Sequence, residues 1–227
     1  MTNLLHTRLS PSVRNSDSLA MAGAGEGVAE GSETARLGDE LLRRLPADRR
    51  SSTGFISLAE AAYKIPGARM DRLFQACTAL AVGRDAFFLS VFATLLARLA
   101  GQEAVTLRDY SGDPAILALA FDAEASFRQL LSATQNACAS ASDQPCAVEF
   151  VAASSLVSFA DIPDHGLRMA VYVTESEAHV RLASTTGLWD QSLLRLWLRY
   201  FDHLAAAAVA APDIPWKTLP FIDAQEF

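Results

Sequence analysis

Between residues 85 and 99, apolar side chains recur at Phe87, Phe88, Val91, Phe92, Leu95, Leu96 and Leu99. That spacing places a broad apolar stripe on one side of an α-helix. A second stripe, Leu193, Leu194, Trp197, Phe201, Leu204 and Ala208, predicts a helix over 190–209 with Gln191, Arg195, Arg199 and Asp202 turned outward. Gly101 stops the first helix, and Pro212 and Pro215 stop the second. Shorter helical patterns cover 35–45, ended by Pro46; 68–82, opened by the Ile65-Pro66-Gly67 turn; and 124–139, with Phe127, Leu130, Leu131 and Thr134 inward. Strict alternation marks a hairpin instead at 167–174 and 178–185, where Met169, Val171 and Val173 oppose Val180 and Leu182. Further strands are expected within 55–65 and at 104–107, 115–121, 147–152 and 156–159, with the turn formers of 108–114 between the second and third of these. Strand, two helices, two strands, helix, strand cluster and helix together predict an α+β fold, a mixed sheet covered by helices.

Composition sharpens the boundaries. The 227 residues are 51% hydrophobic and 20% charged, the balance of a globular chain. Residues 1–34 break the pattern: they are rich in Ser, Gly, Ala and Glu and read as a flexible tail, within which Gly23, Gly25 and Gly27 lack the preceding strand that a nucleotide loop needs. The folded part is expected over 35–211, followed by an irregular, linker-like arm at 212–227. A net charge of −7 without a dense Lys/Arg run argues against nucleic acid and against an anionic membrane as partners. The longest apolar window, 86–97, falls well short of the roughly 18 residues of a membrane span. Cys77, Cys138 and Cys146 are odd in number and lack C-x-x-C spacing. With no apolar h-region in residues 1–13, they are expected to be reduced thiols of a cytoplasmic protein.

Catalytic chemistry is sparse. His6 lies in the tail, His179 stands beside Arg181 on the polar side of the hairpin, and His203 follows Asp202. Asp161, Asp164 and His165 form the one loop where a metal could be imagined, yet no second ligand set matches it. No G-x-S-x-G elbow occurs, and no cysteine has a nucleophile's flanking signature. No catalytic residue, metal site or cofactor is therefore assigned.

Four segments carry a resemblance. Residues 85–106, DAFFLSVFATLLARLAGQEAVT, form an aromatic- and Leu-rich helix closed by Gly-Gln before a strand. Residues 125–146 give a helix, a polar stretch and a Pro-Cys, and 167–204 give a hairpin, Leu188-Trp189-Asp190 and a long helix. Residues 216–227, WKTLPFIDAQEF, look like a Leu-Pro linker. In this order they resemble the C-terminal half of nonribosomal peptide synthetase condensation domains, which have the chloramphenicol-acetyltransferase-like, CoA-dependent acyltransferase fold. The family carries an H-H-x-x-x-D-G motif in its N-terminal half. This sequence has no His-His pair, and its 107–118 segment is shorter than the family's latch region.

The resemblance implies a half-fold without its own catalytic histidine. Amide formation between carrier-bound thioesters needs both reactants placed together and a group to manage the amine proton. The expected role is a catalytically incomplete platform in secondary-metabolite assembly, docking an adenylation or carrier domain. Homodimerisation in place of the missing half is a further expectation. Trp189 at the helix entrance, and Trp216 and Phe221 in the arm, are the expected partner contacts, with Arg108 and Tyr110 (next to Asp109) placed to meet a carrier's phosphopantetheine arm. A split enzyme acting in trans with a His-bearing N-terminal half, and a small-molecule binding or regulatory module, are the alternatives.

Overall fold

The computed structural model describes residues 36–47, 58–137, 144–153, 166–174 and 177–222. Six strands form one mixed sheet: β1 (Ala59–Ile65), β2 (Ala104–Asp109), β3 (Ala115–Ala120), β4 (Val148–Ala153), β5 (Leu167–Val173) and β6 (Ala178–Ser184). Their spatial order is β1-β6-β5-β4-β2-β3. The β5–β6 hairpin and the β2–β3 pair are antiparallel, as short connections require, whereas β4 runs parallel to both β5 and β2. The predicted strand at 156–159 and the metal-like loop of Asp161, Asp164 and His165 lie outside the described residues.

Among the described residues five α-helices accompany the sheet: α1 (Asp39–Arg44), α2 (Gly67–Leu80), α3 (Arg84–Ala100), α4 (Phe127–Gln135) and α5 (Gln191–Ala210). The α3 stripe is buried apart from half-buried Leu99, but Leu89, Ser90, Ala93, Thr94 and Ala97 are buried too, so the helix is enclosed on all sides rather than along one face; its end is set by Gly101 at φ +64°. Asp190 caps α5 by accepting a 2.8 Å hydrogen bond from the Leu193 N–H. The capping box of Ser126 and Gln129 starts α4 later than the apolar pattern suggests. No single described helix is long and apolar enough to cross a membrane.

The helices share one core with alternate strand residues. Phe88 stacks on Phe201 at 6.2 Å, Phe92 meets Phe150 at 6.2 Å, and Met169, Val171, Val180 and Leu182 complete the strand side. Strand β2 runs two residues beyond the expected 107, so Arg108 and Asp109 belong to the sheet rather than to a turn.

The parallel β2–β4 pairing is short, with Arg108 opposite Glu149 and Asp109 opposite Phe150. Beyond it, Leu37 bridges to Cys146 through hydrogen bonds from Leu37 N–H to the Pro145 carbonyl (3.2 Å) and from Ala147 N–H to the Leu37 carbonyl (2.8 Å). Gly38 follows at φ +84°, where a Cβ would stand 3.2 Å from the Thr106 carbonyl oxygen. The segment before α1 thus wedges between the diverging strands, and only glycine fits that turn without strain.

Residues 212–222 are a packed part of this fold. Phe127 N–H donates to the Ile214 carbonyl (3.1 Å) and Arg128 N–H to the Pro212 carbonyl (2.8 Å). Trp216 and Leu219 are fully buried.

Candidate functional site

Strand residues have period two, so the positions that skip the main core share the opposite face of the sheet. Pairing register aligns Glu60, Ala183, Arg168, Glu149, Arg108 and Ile116 in one row across all six strands. The neighbouring row runs Ala62, Arg181, Ala170 and Val151, and the next Lys64, His179 and Tyr172. Ala170, Ala183 and Val151 form a small second apolar cluster that, among the described residues, contains strand residues only.

Charges flank this cluster in pairs. Arg168 holds Glu149 Oε2 through Nε at 2.6 Å and through its terminal nitrogen at 2.5 Å. Both residues are more than nine-tenths buried, at 8% and 3% exposure. The Tyr110 hydroxyl donates to the other Glu149 oxygen at 3.2 Å, while its backbone N–H donates to the Phe150 carbonyl at 2.9 Å and carries the β2–β4 pairing one residue further. Arg108 donates to the Gln144 carbonyl. The guanidinium carbons of Arg108 and Arg168 each stand 6.0 Å from the Tyr110 ring. Burial, and then the negative charge of Glu149, push the Tyr110 phenol above its ordinary range.

Further along the face, Arg181 Nε donates to Glu60 at 2.9 Å. Lys64 and His179 both reach Glu177, whose carboxyl is held below its ordinary range by those two hydrogen bonds, Lys64's first. Here the face opens: Ala62 and Lys64 are exposed, and a 430 Å³ depression is lined by Glu60, Ala62, Tyr63, Lys64, His179 and Arg181.

The sheet therefore brings together Arg108 and Tyr110, expected from sequence, with Glu149 and Arg168, which sequence reasoning missed. Chemically the set is a buried ion pair with Arg108 and Tyr110 half-buried beside it. Its carboxylate is neutralised by two fixed donors and its phenol is harder to ionise than usual, so it supplies neither a general base nor an activated nucleophile. The two described thiols are no better placed: burial pushes Cys77 up to about 11 and raises Cys146 as well. Among the described residues no group of three or more His, Cys, Asp or Glu could hold a metal ion.

The two expected tryptophan contacts require correction. Trp189 is 1% exposed and packs its ring 5.2 Å from Trp197, because the 184–190 loop folds its indole inward at the α5 entrance. Leu188, exposed at 45%, takes the outer position. Trp216 is also 1% exposed; its indole N–H donates to the Asp122 carbonyl at 2.8 Å and its ring lies 5.4 Å from Phe121. Phe221 is half-buried, stacked edge-on against Tyr200 at 5.2 Å and covered by Arg98 at 4.0 Å. Neither indole presents a surface for a partner.

Asp202, expected on the outer side of α5, is buried instead, at 5% exposure. It accepts from the Tyr63 hydroxyl at 2.8 Å and from Arg69. Burial first, and then Asp202, push the Tyr63 phenol up to about 12. The only sequence signal for this cluster was one acid in the apolar spacing of α5, since its partners lie 139 and 133 residues away.

No protein family model and no curated protein matches the sequence. Solved structures do share the fold. The first condensation domain of the calcium-dependent antibiotic (CDA) synthetase superposes with a TM-score of 0.58 at 14% identity, over 80% of this chain and 52% of that one. SgcC5 from Streptomyces globisporus gives 0.61 at 17%, over 78% and 55%. The X-domain of teicoplanin biosynthesis, solved in complex with OxyB, gives 0.63 at 11%, over 84% and 53%. The chain spans about half the length of the condensation domains it matches. A six-stranded mixed sheet with helices on one side is thus the condensation-domain type of fold, in line with the sequence expectation.

Proposed function

We propose that this chain is a non-catalytic, condensation-like platform in nonribosomal peptide assembly, and that it docks an adenylation or carrier domain through the polar sheet face around Arg108 and Tyr110. The observation that carries the reading is that face. On a condensation-type half-fold, the register gathers a small apolar cluster and paired charges into one set, with Arg108 and Tyr110 half-buried beside it. Support also comes from the X-domain, whose structure is a complex with another protein. The sequence offers His6, His165, His179 and His203, with no adjacent pair to serve as the family's motif.

Binding is measured by interferometry on the full chain against synthetase adenylation domains and against carrier domains with and without the phosphopantetheine arm. Arg108→Glu and Tyr110→Ala are expected to weaken the complex roughly tenfold or more, as centrally placed contacts do. Unchanged affinity in both variants, or no binding of any such domain by the native chain, overturns the reading. Removing residues 216–227 is a poor test, because Trp216 and Leu219 belong to the core.

A second reading rests on the half-length match: the chain supplies one half of a split condensation enzyme. Mixing it with a His-bearing N-terminal half and two loaded carriers then yields amide product, and absence of product from such mixtures removes this reading.

A further inference from the structure

Helices α2 and α5 lie against each other, yet they leave a cleft of about 370 Å³ between them. The cause is local sequence. In its first half α5 buries Leu194, Trp197, Leu198 and Phe201, whereas its last turns offer only Ala205, Ala206, Val209 and Ala210 to the cleft. Asp202 and these four follow the i, i+3, i+4, i+7, i+8 spacing of one helix face. Opposite them, Arg69, Arg72 and Leu73 share one face of α2, and Ile65 closes the inner end. The result is a trough lined by apolar side chains together with Arg69, Arg72 and Asp202.

Those polar groups are unequal. Asp202 is neutralised by Arg69 and hydrogen-bonded by Tyr63, so its negative charge is already answered. Arg72 is exposed and makes no ion pair among the described residues. The cleft therefore carries two guanidinium groups against one carboxylate, one positive charge in excess, on a protein whose net charge is −7. An arginine beside an apolar trough favours a ligand with a planar anionic head and a hydrocarbon body, since its N–H fork matches a carboxylate in geometry. The size falls within the range of small-molecule sites.

We infer that the α2–α5 cleft binds a medium-chain aliphatic carboxylate, with the head on Arg72 and the chain lying along Leu73, Ala205 and Val209. The site is separate from the docking face, and its occupancy does not depend on the docking reading.

Sodium decanoate, kept below its micellar concentration, is titrated into the full chain by calorimetry. One saturable site per chain is expected. Decan-1-ol and decyltrimethylammonium, which keep the chain but lose or invert the charge, bind at least roughly tenfold more weakly, the loss of one charge-assisted pair. Arg72→Glu, a surface change, causes a similar loss and Arg72→Lys a smaller one. Val209→Trp, checked for folding by circular dichroism, fills the trough and removes binding. Decan-1-ol binding as tightly as decanoate, an unchanged affinity in Arg72→Glu, or no saturable decanoate site in the native chain each overturns the assignment.

Discussion

The sheet has phenylalanines, leucines and valines on one face and a row of paired charges on the other, although both sides of its centre are out of water. On the helix-covered face, stability comes from area: Phe87, Phe88, Phe92, Phe127, Phe150 and Phe201 are fully buried and contact one another in edge-on, tilted or stacked pairs. On the opposite face it comes from completeness. Arg168 and Glu149 are each tolerable inside only while the other is present, because desolvating a lone charge costs more than the pair gains. The first face should forgive conservative exchange and punish truncation. The second should forgive removal of a whole pair and punish removal of half.

Urea unfolding monitored by tryptophan fluorescence tests that contrast. Phe201→Ala is expected to cost about 3–5 kcal/mol through lost burial and a cavity, and Phe201→Leu a good deal less. Glu149→Ala is expected to cost a comparable 3–5 kcal/mol or so by stranding Arg168, whereas Glu149→Leu combined with Arg168→Met should recover most or all of that loss. A double variant no better than Glu149→Ala alone would break the comparison.

Asp202 tests whether the same logic holds at the edge of the helical layer. Asp202→Ala takes the acceptor from the half-buried Tyr63 hydroxyl and is expected to cost about 1 kcal/mol. The linkage has a definite sign. Tyr63 titrates near 12 in the fold against about 10 in the unfolded chain, so its contribution is intact below pH 10 and fades as pH rises toward 12. The native protein should lose thermal stability across that window more steeply than Tyr63→Phe, and equal slopes would show that burial and Asp202 together do not raise the Tyr63 phenol. Similar in size is the wedge. Gly38→Ala meets both a left-handed backbone and a carbonyl, and should cost more than the about 1 kcal/mol expected of Gly101→Ala, which has open space. Smallest is Ala81, held at φ +54° at the end of α2, where Ala81→Gly should raise the unfolding midpoint by about 0.5–1 kcal/mol equivalent.

What could be read from sequence follows the range of the interactions. Helices α3 and α5 and the β5–β6 hairpin announce themselves because their periodicity is local and their stops are Gly101, Pro212 and a turn. The parallel registers of β4 with β5 and β2 left no mark, since neither strand is joined to its parallel neighbour by a hairpin. The site divided in the same way. Arg108 and Tyr110 stood out as polar residues in a turn-like run, but Glu149 looked like any strand acid until the register set it beside Arg168. Trp189 misled because residues next to a helix cap can turn inward or outward, and only the proximity of Trp197 decides between them.

The pairing of β1 with β6 also sets a timetable for synthesis. Ala59 leaves the ribosome long before its partner Ser184 exists, and α5, which packs on β1, comes later still. At roughly 5–20 residues per second, the nascent chain carries an unpaired strand and the uncovered phenylalanines of α3 for on the order of ten seconds. Expression yield should therefore depend on chaperone supply and translation rate more than on the stability of the finished protein.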